Sequence, residues 1–368
     1  MNSDIYIWQQ MLSPHQLYFA EELTKYGYKV NYLYSMNLSE DRKSLGWPSK
    51  YKMNVNFIKF KTKADIKKII NSAKDNSIHL TQGALRNGNL SYAQKLIYRR
   101  GQTVFCFFET INETKFLGSL KIYIYKLIFR LSRRKNFLFL AIGSSTKNWL
   151  IKAGIPSENI FEFLYFLKHD SHQKICETSL TSPEAFKIIF IGRLEKNKNV
   201  RFIISCLKDI KSDIIFDIVG DGEEREFLEK IALNCNQQIR FHGKQKFEDV
   251  NKFICDSDLL VLPSFHDGFG AVISEALLKG TPVLASSACG ASSVINHSNG
   301  KVFKTNSVDS FLLNIKEIMN TKYDRNEIMS KSAKSISANA GAIYFIDIIK
   351  SISNKKEAPR IPWYEERN

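Results

Sequence analysis

The sequence predicts an α/β protein with two doubly wound domains that face each other across a cleft. Three observations favour this fold class. The chain of 368 residues is longer than one hydrophobic core usually organises. Short β-rich runs alternate with helical stretches, which is typical of βαβ units and a parallel sheet. This pattern occurs twice, and the polar residues 168–185 between the two halves have the Ser, Thr and Pro content of a linker.

The first half opens with a complete βαβ unit. Residues 4–9 alternate apolar side chains and predict a strand, and Ser13-Pro14 then supplies a helix N-cap with proline in the first turn. The helix should end at Gly27, after which residues 29–34 resume as a strand. Further strands are expected at residues 55–60, 78–81, 104–108 and 137–142.

The second half repeats the pattern more clearly. A helix is expected near residues 200–210 and another after the Gly-Asp-Gly turn at 220–222. We assign a first domain to residues 1–172 and a second to residues 173–342, and we expect residues 343–368 to form a C-terminal helix or tail that packs back on the first domain. Strands are expected at 187–191, 214–219, 239–242, 259–262 and 282–285.

Composition excludes several classes of protein. Hydrophobic residues make up 44% of the chain and charged residues 24%, as in ordinary globular proteins. No apolar run reaches the roughly 18 residues that a membrane-spanning helix needs, and residues 1–4 lack the basic start of a secretory signal. The six cysteines have neither zinc nor redox spacing, which favours reduced thiols and a cytoplasmic location.

Charge distinguishes the two halves. Residues 1–170 carry 26 basic and 12 acidic side chains, whereas residues 171–368 carry 27 and 25. A strongly basic half attracts polyanions, which include nucleic acid, an anionic bilayer and phosphorylated small molecules. Within it, residues 121–135 interleave apolar and aromatic side chains with cations. This pattern predicts peripheral contact with the inner face of the plasma membrane, and a core helix whose Lys and Arg side chains reach solvent is the alternative.

The strongest local signal lies at residues 256–285. A buried strand should end at Pro263-Ser264, and a loop with Gly268 and Gly270 then leads into a helix that starts near Ala271. In a parallel sheet such a loop lies at the carboxyl edge, where ligands bind. The glycines let the backbone approach a ligand closely, and the helix start offers N–H groups to an anion.

Two carboxylates flank this loop at a spacing of eight residues, Asp267 and Glu275, and each could accept hydrogen bonds from sugar hydroxyls. The arrangement, DGFG followed by SEA and KGTPV, resembles glycosyltransferase family 4, the retaining nucleotide-sugar transferases with the GT-B fold of two Rossmann-like domains. That family usually has Glu at the first position, so Asp267 shortens the side chain by one methylene and keeps the charge. Two further signatures of the family are Gly192-Arg193 followed by Lys198, and Gly220-Asp221-Gly222.

The resemblance implies roles for the matched residues. Arg193 and Lys198 would grip the donor diphosphate and stabilise the leaving nucleoside diphosphate. Glu275 would bind the ribose hydroxyls and Asp267 the transferred sugar. A structural role is the alternative for His242, which falls where the family receives the base. The remaining donor-binding residues are Gly192, Gly243, Gly268, Phe269, Gly270 and Ala271.

Residues of the first domain are assigned to the acceptor side. His15 lies in SPHQ at a helix start, which resembles transferases of surface-polysaccharide assembly. It could contact the acceptor or the donor, and a capping or packing role is the alternative. Glu109 ends a strand, near where a polar residue of the family faces the reacting centre. Gln82-Gly83 ends another strand at the same edge. We therefore assign His15, Glu109 and Asp267 to catalysis.

Two other patterns point elsewhere. Asp256-Ser257-Asp258 spells the D-x-D that binds manganese in a different transferase fold, but it precedes a strand at its amino end, away from the ligand edge. The turn at 220–222 lacks the third glycine of a dinucleotide fingerprint, because residue 225 is Arg. A basic nucleic-acid-binding protein and an inactive transferase scaffold remain as alternatives, although no helix-turn-helix, zinc or RNP pattern supports the first.

The resemblance as a whole implies an enzyme of cell-surface polysaccharide or lipopolysaccharide biosynthesis. It would move a sugar from a UDP- or GDP-linked donor to a hydroxyl of a glycan, for which we expect a lipid-linked acceptor. Side-chain cations would do the work of a metal ion, so no metal or other cofactor is expected. The expected partners are the nucleotide sugar, the acceptor glycan and an anionic membrane surface, and nucleic acid is not among them.

Overall fold

The computed structural model describes residues 3–39, 42, 51–83, 87–109, 118–131, 137–169 and 185–365. The chain forms two compact units. The first unit comprises Met1–Ser39, Pro48–Lys168 and Ala338–Ile361, and the second comprises Glu40–Trp47, His169–Ser337 and Pro362–Asn368. The chain returns to the first unit at Ala338, whereas the sequence analysis places the end of the second domain at residue 342.

The first unit is built on a seven-stranded parallel sheet with helices between the strands. The strands are β1 (Ile5–Gln9), β2 (Val30–Tyr34), β3 (Asn56–Lys59), β4 (Ile78–Gln82), β5 (Thr103–Glu109), β6 (Phe137–Ile142) and β7 (Ile160–Phe163). The helices are α1 (Pro14–Lys25), α2 (Lys63–Ser72), α3 (Asn89–Arg99), α4 (Gly118–Leu131) and α5 (Thr146–Lys152). The strand order is β3-β2-β1-β4-β5-β6-β7, and all neighbours run parallel.

The opening βαβ unit predicted from the sequence is confirmed. Every residue of β1 is buried, as expected for a parallel strand that is covered on both faces. Pro14 occupies the first turn of α1, where its fixed φ suits the helix and its missing N–H is not needed. Ser13 takes the N-cap position without a side-chain hydrogen bond, and Gly27 adopts a φ of 81° after the helix ends.

The second unit repeats this architecture with six parallel strands. The strands are β8 (Phe186–Ile191), β9 (Ile214–Val219), β10 (Gln238–Gly243), β11 (Leu259–Leu262), β12 (Val283–Ser286) and β13 (Gly300–Phe303). The helices are α6 (Val200–Leu207), α7 (Arg225–Ala232), α8 (Phe247–Cys255), α9 (Ala271–Leu277), α10 (Val308–Met319) and α11 (Arg325–Ile336). The strand order is β10-β9-β8-β11-β12-β13. Two doubly wound α/β sheets, as predicted, are thus present.

Strands β7 and β13 were not predicted from the sequence. Each has four residues and lies at the edge of its sheet. Strands β3, β11 and β12 are also four residues long and were predicted, so length does not explain the omission. Strands β7 and β13 are identified by the neighbouring strand that each pairs with. In these two cases the partners are β6 and β12.

The C-terminal helix α12 (Ala338–Ser353) packs on α1 of the first unit. The ring of Phe345 lies 5.7 Å from that of Phe19 and 5.0 Å from that of Phe105. The hydroxyl of Tyr26 donates a hydrogen bond to Asn339 Oδ1 at 2.8 Å. A last short helix, α13 (Pro362–Glu365), belongs to the second unit.

The chain leaves the first sheet through a crossing segment, Leu164–Lys168, that packs against α12. The backbone N–H of Ala338 donates to the carbonyl of Leu167 at 2.7 Å. A Cβ on Gly341 would lie 2.3 Å from Cγ of Phe166, so the helix approaches this ring more closely than any side chain allows. Gly341 is therefore required by the contact between α12 and the crossing segment.

Helix α4 contains the first part of the segment that the sequence assigns to a membrane surface. Tyr123 is 71% exposed and Leu127 62% exposed, whereas Phe129 is buried. The side chain of Arg130 and the whole of residues 132–136, with Arg133 and Arg134, lie outside the described residues. Among the helices that the structure describes, none is long and apolar enough to cross a bilayer.

The prediction that all cysteines are reduced is wrong at one position. Cys255, at the end of α8, is disulfide-bonded. Four other cysteines of the described residues are free, namely Cys106, Cys206, Cys235 and Cys289. Spacing along the chain does not report which thiols approach one another in the fold, so the sequence analysis did not predict this bond.

Gly341→Ala should lower the free energy of unfolding by about 1–3 kcal/mol, because the added methyl group overlaps the ring of Phe166. Helix propensity alone predicts the opposite sign, a gain of up to about 1 kcal/mol. Urea unfolding of the full chain distinguishes the two. Ile343→Ala, at a position 43% exposed on the same helix, is the matched control, and Phe166→Leu should recover part of the loss in the Gly341→Ala chain. Equal or greater stability of Gly341→Ala would contradict the packing argument.

Candidate functional site

The topology of the second sheet creates a crevice at the carboxyl ends of β8 and β11. The strand order reverses between these neighbours, because β8 leads outward to β9 and β11 leads outward to β12 on the other side. In open α/β sheets, ligands bind outside the carboxyl ends of the strands at such a switch point. Both loops that the sequence motifs single out leave the sheet here, one after Ile191 and the other after Leu262.

The loop after β8 is held by the Gly-Asp-Gly turn that follows β9. The backbone N–H of Leu194 donates to the carbonyl of Asp221 at 2.9 Å. A Cβ on Gly220, whose φ is 141°, would lie 1.8 Å from the carbonyl oxygen of Gly192. The turn is therefore glycine-rich because two backbone segments touch, and this contact sets the path of the loop.

The loop after β11 is held by the segment that follows β12. The N–H of Asp267 donates to the carbonyl of Ala288 at 3.1 Å, and its carbonyl accepts from the N–H of Gly290 at 2.9 Å. A Cβ on Gly290 would lie 2.1 Å from the carbonyl oxygen of Gly268. The backbone around Asp267 is thus fixed by close contacts on both sides.

The predicted phosphate-binding residues lead directly into α9. Gly270 takes the N-cap position with φ 82° and ψ 57°, a left-handed conformation that favours glycine, and the helix begins at Ala271. Phe269 is buried and anchors the loop in the core. The first N–H groups of a helix have no acceptor within it, so this loop directs backbone donors towards the switch point.

Lys198 and Asp267, which the sequence assigns to different tasks, form an ion pair. Lys198 Nζ lies 2.5 Å from Asp267 Oδ2, and the two side chains are only 18% and 14% exposed. Asn197 joins the same two loops, since its Nδ2 donates to the carbonyl of His266 at 2.6 Å and its carbonyl accepts from the N–H of Phe265 at 2.9 Å. The pair is therefore part of the link between the loops.

Arg193 lies in a more open position of the same edge. Its side chain is 77% exposed, and its Nη1 lies 2.6 Å from Glu195 Oε1. An anion that approaches Arg193 therefore competes with a carboxylate that is already in place. The open depression around it is lined by Arg193, Glu195, Lys196, Asn197, Asp221, Gly222 and Glu223.

Glu275 lies half-buried on α9. Burial raises the pKa of its carboxyl to about 7, and the charge of Lys279, one turn later, opposes the shift. Near neutral pH this group therefore exchanges between its neutral and ionised forms. Hydroxyl groups of a ligand that donate to the carboxylate would favour the ionised form.

His242 and Gly243 have contacts that explain them structurally. His242 Nε2 lies 2.6 Å from Asp217 Oδ1, and the imidazole packs on the ring of Phe253 with 4.6 Å between centroids. Gly243 adopts a φ of 67°, and its carbonyl accepts from the N–H of Gly220 at 2.8 Å. A role of either residue in binding a base stays a prediction.

His15 and Glu109, assigned to the acceptor side, meet in the first unit at a third residue, Tyr165. The hydroxyl of Tyr165 donates to Glu109 Oε1. Its ring stacks on the imidazole of His15 with 6.0 Å between centroids. Burial first, and then the charge of Glu109, raise the pKa of Tyr165 well above its ordinary value, so this hydroxyl keeps its proton.

A cluster of amide side chains lies at the switch point of the first sheet, between β1 and β4. The backbone N–H of Gln10 donates to Gln82 Oε1 at 3.4 Å, and its side-chain amide donates to Asn87 Oδ1. Asn87 Nδ2 in turn donates to the carbonyl of Gln82 at 2.7 Å. Gln82, which the sequence places at a ligand edge, is thus held beside the first loop.

The D-x-D pattern lies at the opposite edge of the second sheet. Asp258 Oδ2 accepts from the N–H of Lys187 at 2.9 Å, and the N–H of Asp258 donates to the carbonyl of Lys187 at 2.9 Å. These residues stand at the amino ends of β11 and β8. Asp258 therefore joins the amino ends of β8 and β11 by hydrogen bonds, at the edge where the sequence analysis places it.

Sequence reasoning missed two residues that hold these sites together. Asn197 lies between Arg193 and Lys198, and its place inside the motif is a signal that could have revealed it. Tyr165 belongs to no motif, and it lies 56 residues from Glu109 in the sequence. Only the hydrogen bond to Glu109 in the folded chain reveals the place of Tyr165 in this site.

Comparison with known proteins finds a family match within the second unit. Residues 172–336 match the family model for glycosyl transferases group 1. An uncharacterized glycosyltransferase of Methanocaldococcus jannaschii is 29% identical over 233 residues, which are 61% of this chain and 59% of that protein. The lipopolysaccharide core biosynthesis glycosyltransferase LpsD of Rhizobium meliloti is 34% identical over 119 residues, which are 32% of this chain and 34% of that protein. The chain thus matches about half the length of these curated relatives, or less.

Solved structures resemble the chain over nearly its full length. The apo form of the lipopolysaccharide outer core galactosyltransferase WaaB has a TM-score of 0.68 at 16% identity, with 95% of this chain and 99% of that chain covered. Anabaena HepE in complex with UDP and glucose has a TM-score of 0.65 at 15% identity, with 95% and 100% covered. At such low identity the likeness concerns the fold. It confirms the predicted α/β architecture, that of GT-B glycosyltransferases.

Glu275→Gln should change how stability depends on pH. With a native pKa of about 7 against an ordinary value of 4.5, the native chain binds more protons than the unfolded chain between these values, so this carboxyl lowers stability as pH rises through that window. The variant should match the wild type near pH 5 and be more stable at pH 8, by about 1–3 kcal/mol.

Urea unfolding of the ligand-free chain at pH 5 and pH 8 measures this difference. Glu226→Gln, an exposed position on α7, is the matched control and should leave the pH dependence unchanged. The same pH dependence in Glu275→Gln and the wild type would show that Glu275 is not desolvated.

Proposed function

We propose that this chain, which carries a glycosyl transferases group 1 domain at residues 172–336, is a retaining glycosyltransferase. It would move a sugar from a nucleotide-diphosphate donor to a hydroxyl of a glycan. One observation carries the proposal. A desolvated cation, Lys198, and a carboxylate, Asp267, are paired at the switch point of the second sheet, beside the loop that begins α9. A nucleotide sugar needs both kinds of group side by side, a cation for its diphosphate and a carboxylate for its sugar hydroxyls.

The donor would take over contacts that the free protein makes within itself. A diphosphate that binds Lys198 replaces Asp267 as the partner of the ammonium group, and Asp267 is then available to accept from sugar hydroxyls. Arg193 would exchange Glu195 for a phosphate oxygen in the same way. Each exchange preserves a charge-assisted contact, so the ligand does not leave a buried charge unpaired.

Glu275 would receive the ribose. Two hydroxyl donors on a half-buried carboxylate favour its ionised form, so binding of the nucleotide would draw the pKa of this group down from about 7. A site that is destabilising when empty and satisfied when occupied is common among functional residues. The same half-buried position that raises the pKa therefore supports the binding role.

The transfer step that we propose is compatible with this arrangement. The bond between the anomeric carbon and the β-phosphate oxygen breaks, and its electron pair stays on that oxygen. The acceptor oxygen bonds to the anomeric carbon on the same face, and the acceptor proton passes to the leaving phosphate. Arg193, Lys198 and the N–H groups at the start of α9 would stabilise the charge that develops there, so the proposal needs neither a protein nucleophile nor a metal ion.

The comparisons support this proposal in general terms. The relative LpsD belongs to lipopolysaccharide core biosynthesis, and the structure of HepE contains UDP and glucose. We infer that the donor here is a UDP- or GDP-sugar and that the acceptor is a lipid-linked glycan of the cell surface. We place His15 and Glu109 on the acceptor side.

Arg193→Ala should reduce kcat/KM for the donor by about 30- to 1000-fold, or about 2–4 kcal/mol of transition-state stabilisation. A thermal-shift panel of UDP- and GDP-sugars first identifies the donor, and its hydrolysis or transfer is then followed by release of the nucleoside diphosphate. The same assay in excess EDTA tests whether a metal ion is needed.

Arg201→Ala is the matched control, because this exposed arginine lies on the adjacent helix α6. It should change kcat/KM less than twofold. A loss below tenfold in Arg193→Ala would remove Arg193 from the donor site, and a chain that hydrolyses none of the donors would contradict the proposed function itself.

We also propose that α4 rests on an anionic membrane and brings the enzyme to its acceptor. Tyr123, Ile124 and Leu127 are exposed, at 71%, 43% and 62%, and Lys126 is exposed beside them. The apolar side chains would enter the headgroup region, while the cations of residues 121–135 would attract the lipid charge. This placement would hold the chain at the cytoplasmic face of the plasma membrane.

The double variant Tyr123→Ser, Leu127→Ser should bind vesicles that contain phosphatidylglycerol at least tenfold more weakly than the wild type, since each buried apolar side chain contributes about 1.5–3 kcal/mol. Neutralising Arg130, Arg133 and Arg134 should also release the chain. Leu313→Ser, 61% exposed on α10, is the matched control and should not alter binding. Equal co-sedimentation of wild type and both altered chains would contradict a membrane role for this segment.

A further inference from the structure

Tyr165 contacts His15 and Glu109, the two residues assigned to the acceptor side, although it follows a different strand from Glu109. It follows β7, the edge strand, whereas Glu109 ends β5, and β6 lies between these two strands. Neighbouring strands are about 4.8 Å apart. The Tyr165 and Glu109 side chains together span the carboxyl end of β6, and the hydrogen bond shows that they meet there.

The crossing segment is anchored on both sides of Tyr165. Before it, Phe163 packs edge-on against Phe19 with 5.8 Å between centroids. After it, Phe166 lies against Gly341, and the carbonyl of Leu167 accepts from the backbone of α12. The place of the tyrosine is thus set by buried contacts that do not involve His15 or Glu109.

Tyr165 makes a different contact with each of its two neighbours. Its hydroxyl donates to one oxygen of the Glu109 carboxylate, and its ring stacks on His15. Glu109 itself is exposed, and an exposed glutamate samples several rotamers. A donor on a packed ring selects one of them and leaves the second carboxylate oxygen for another hydroxyl.

We propose that Tyr165 is a positioning residue that acts through Glu109. It holds the carboxylate in the orientation in which the second oxygen accepts a hydrogen bond from the acceptor hydroxyl, while its ring stacks on the His15 imidazole. This inference rests on the proposed glycosyl transfer. It identifies the ligand of this cluster as a hydroxyl-bearing sugar.

Tyr165→Phe tests the proposal, because it removes the hydroxyl and keeps the ring. Transfer kcat/KM for the acceptor should fall at least tenfold, while hydrolysis of the donor without acceptor and the thermal unfolding midpoint should stay near their wild-type values. Tyr344→Phe is the matched control: it also removes a tyrosine hydroxyl of the first unit, one that donates to the Glu162 carbonyl at 3.2 Å. It should leave both reactions unchanged within twofold.

A double-mutant cycle with Glu109→Ala, which removes the hydrogen-bond acceptor, separates positioning from an independent role. If Tyr165 acts through the carboxylate, Tyr165→Phe should cost less than twofold in the Glu109→Ala chain. The same loss in both backgrounds would overturn the proposal, as would a transfer rate unchanged by Tyr165→Phe alone.

Crystal structures of wild type and Tyr165→Phe supply a readout that does not depend on activity. The Glu109 side chain should occupy one rotamer in the wild type and several in the variant, and an unchanged rotamer would overturn the proposal. Absence of donor hydrolysis in the wild type would instead contradict the proposed function, so the two failures are distinguishable.

Discussion

An ammonium group and a carboxylate 2.5 Å apart connect the two loops of the candidate donor site. Lys198 and Asp267 are both largely shielded from water, so neither charge is stable without a partner. This requirement explains why the loops after β8 and β11 lie against each other in the free protein, with Asn197 joining their backbones. It also limits what can bind there: a ligand must supply an anion to Lys198 and donors to Asp267, as a sugar diphosphate does.

Close contacts between backbone segments place this pair. At Gly220 and Gly290 a side chain would overlap the carbonyl oxygens of Gly192 and Gly268, so the loop positions do not depend on adjustable side chains. Functional groups on such fixed segments stay near one geometry, which is what charge stabilisation in a transfer reaction requires. The glycines of the Gly-Asp-Gly turn therefore support the loop that carries Arg193.

The first unit uses packing for the same purpose. Aromatic contacts and the approach of α12 to Phe166 hold the crossing segment, and the Tyr165 hydroxyl of this segment donates to the exposed Glu109 carboxylate. Glu275 in the second unit differs, because burial of its carboxyl lowers the stability of the folded chain above neutral pH. Neither Glu109 nor Glu275 has a position that the stability of the free protein explains. A ligand rich in hydroxyl groups would explain both, because its hydroxyls would donate to these carboxylates.

The sequence by itself determined the alternating α/β elements and the loops that carry Arg193, Lys198 and the DGFG motif, because periodicity, glycine turns and motif spacing are local properties of the chain. The edge strands β7 and β13, the disulfide at Cys255 and the position, Ala338, at which the chain returns to the first unit were decided by tertiary structure. So were the pairing of Lys198 with Asp267 and the meeting of His15, Glu109 and Tyr165. These side-chain contacts join residues 56 or more positions apart, and such residues come close only once the sheets have formed.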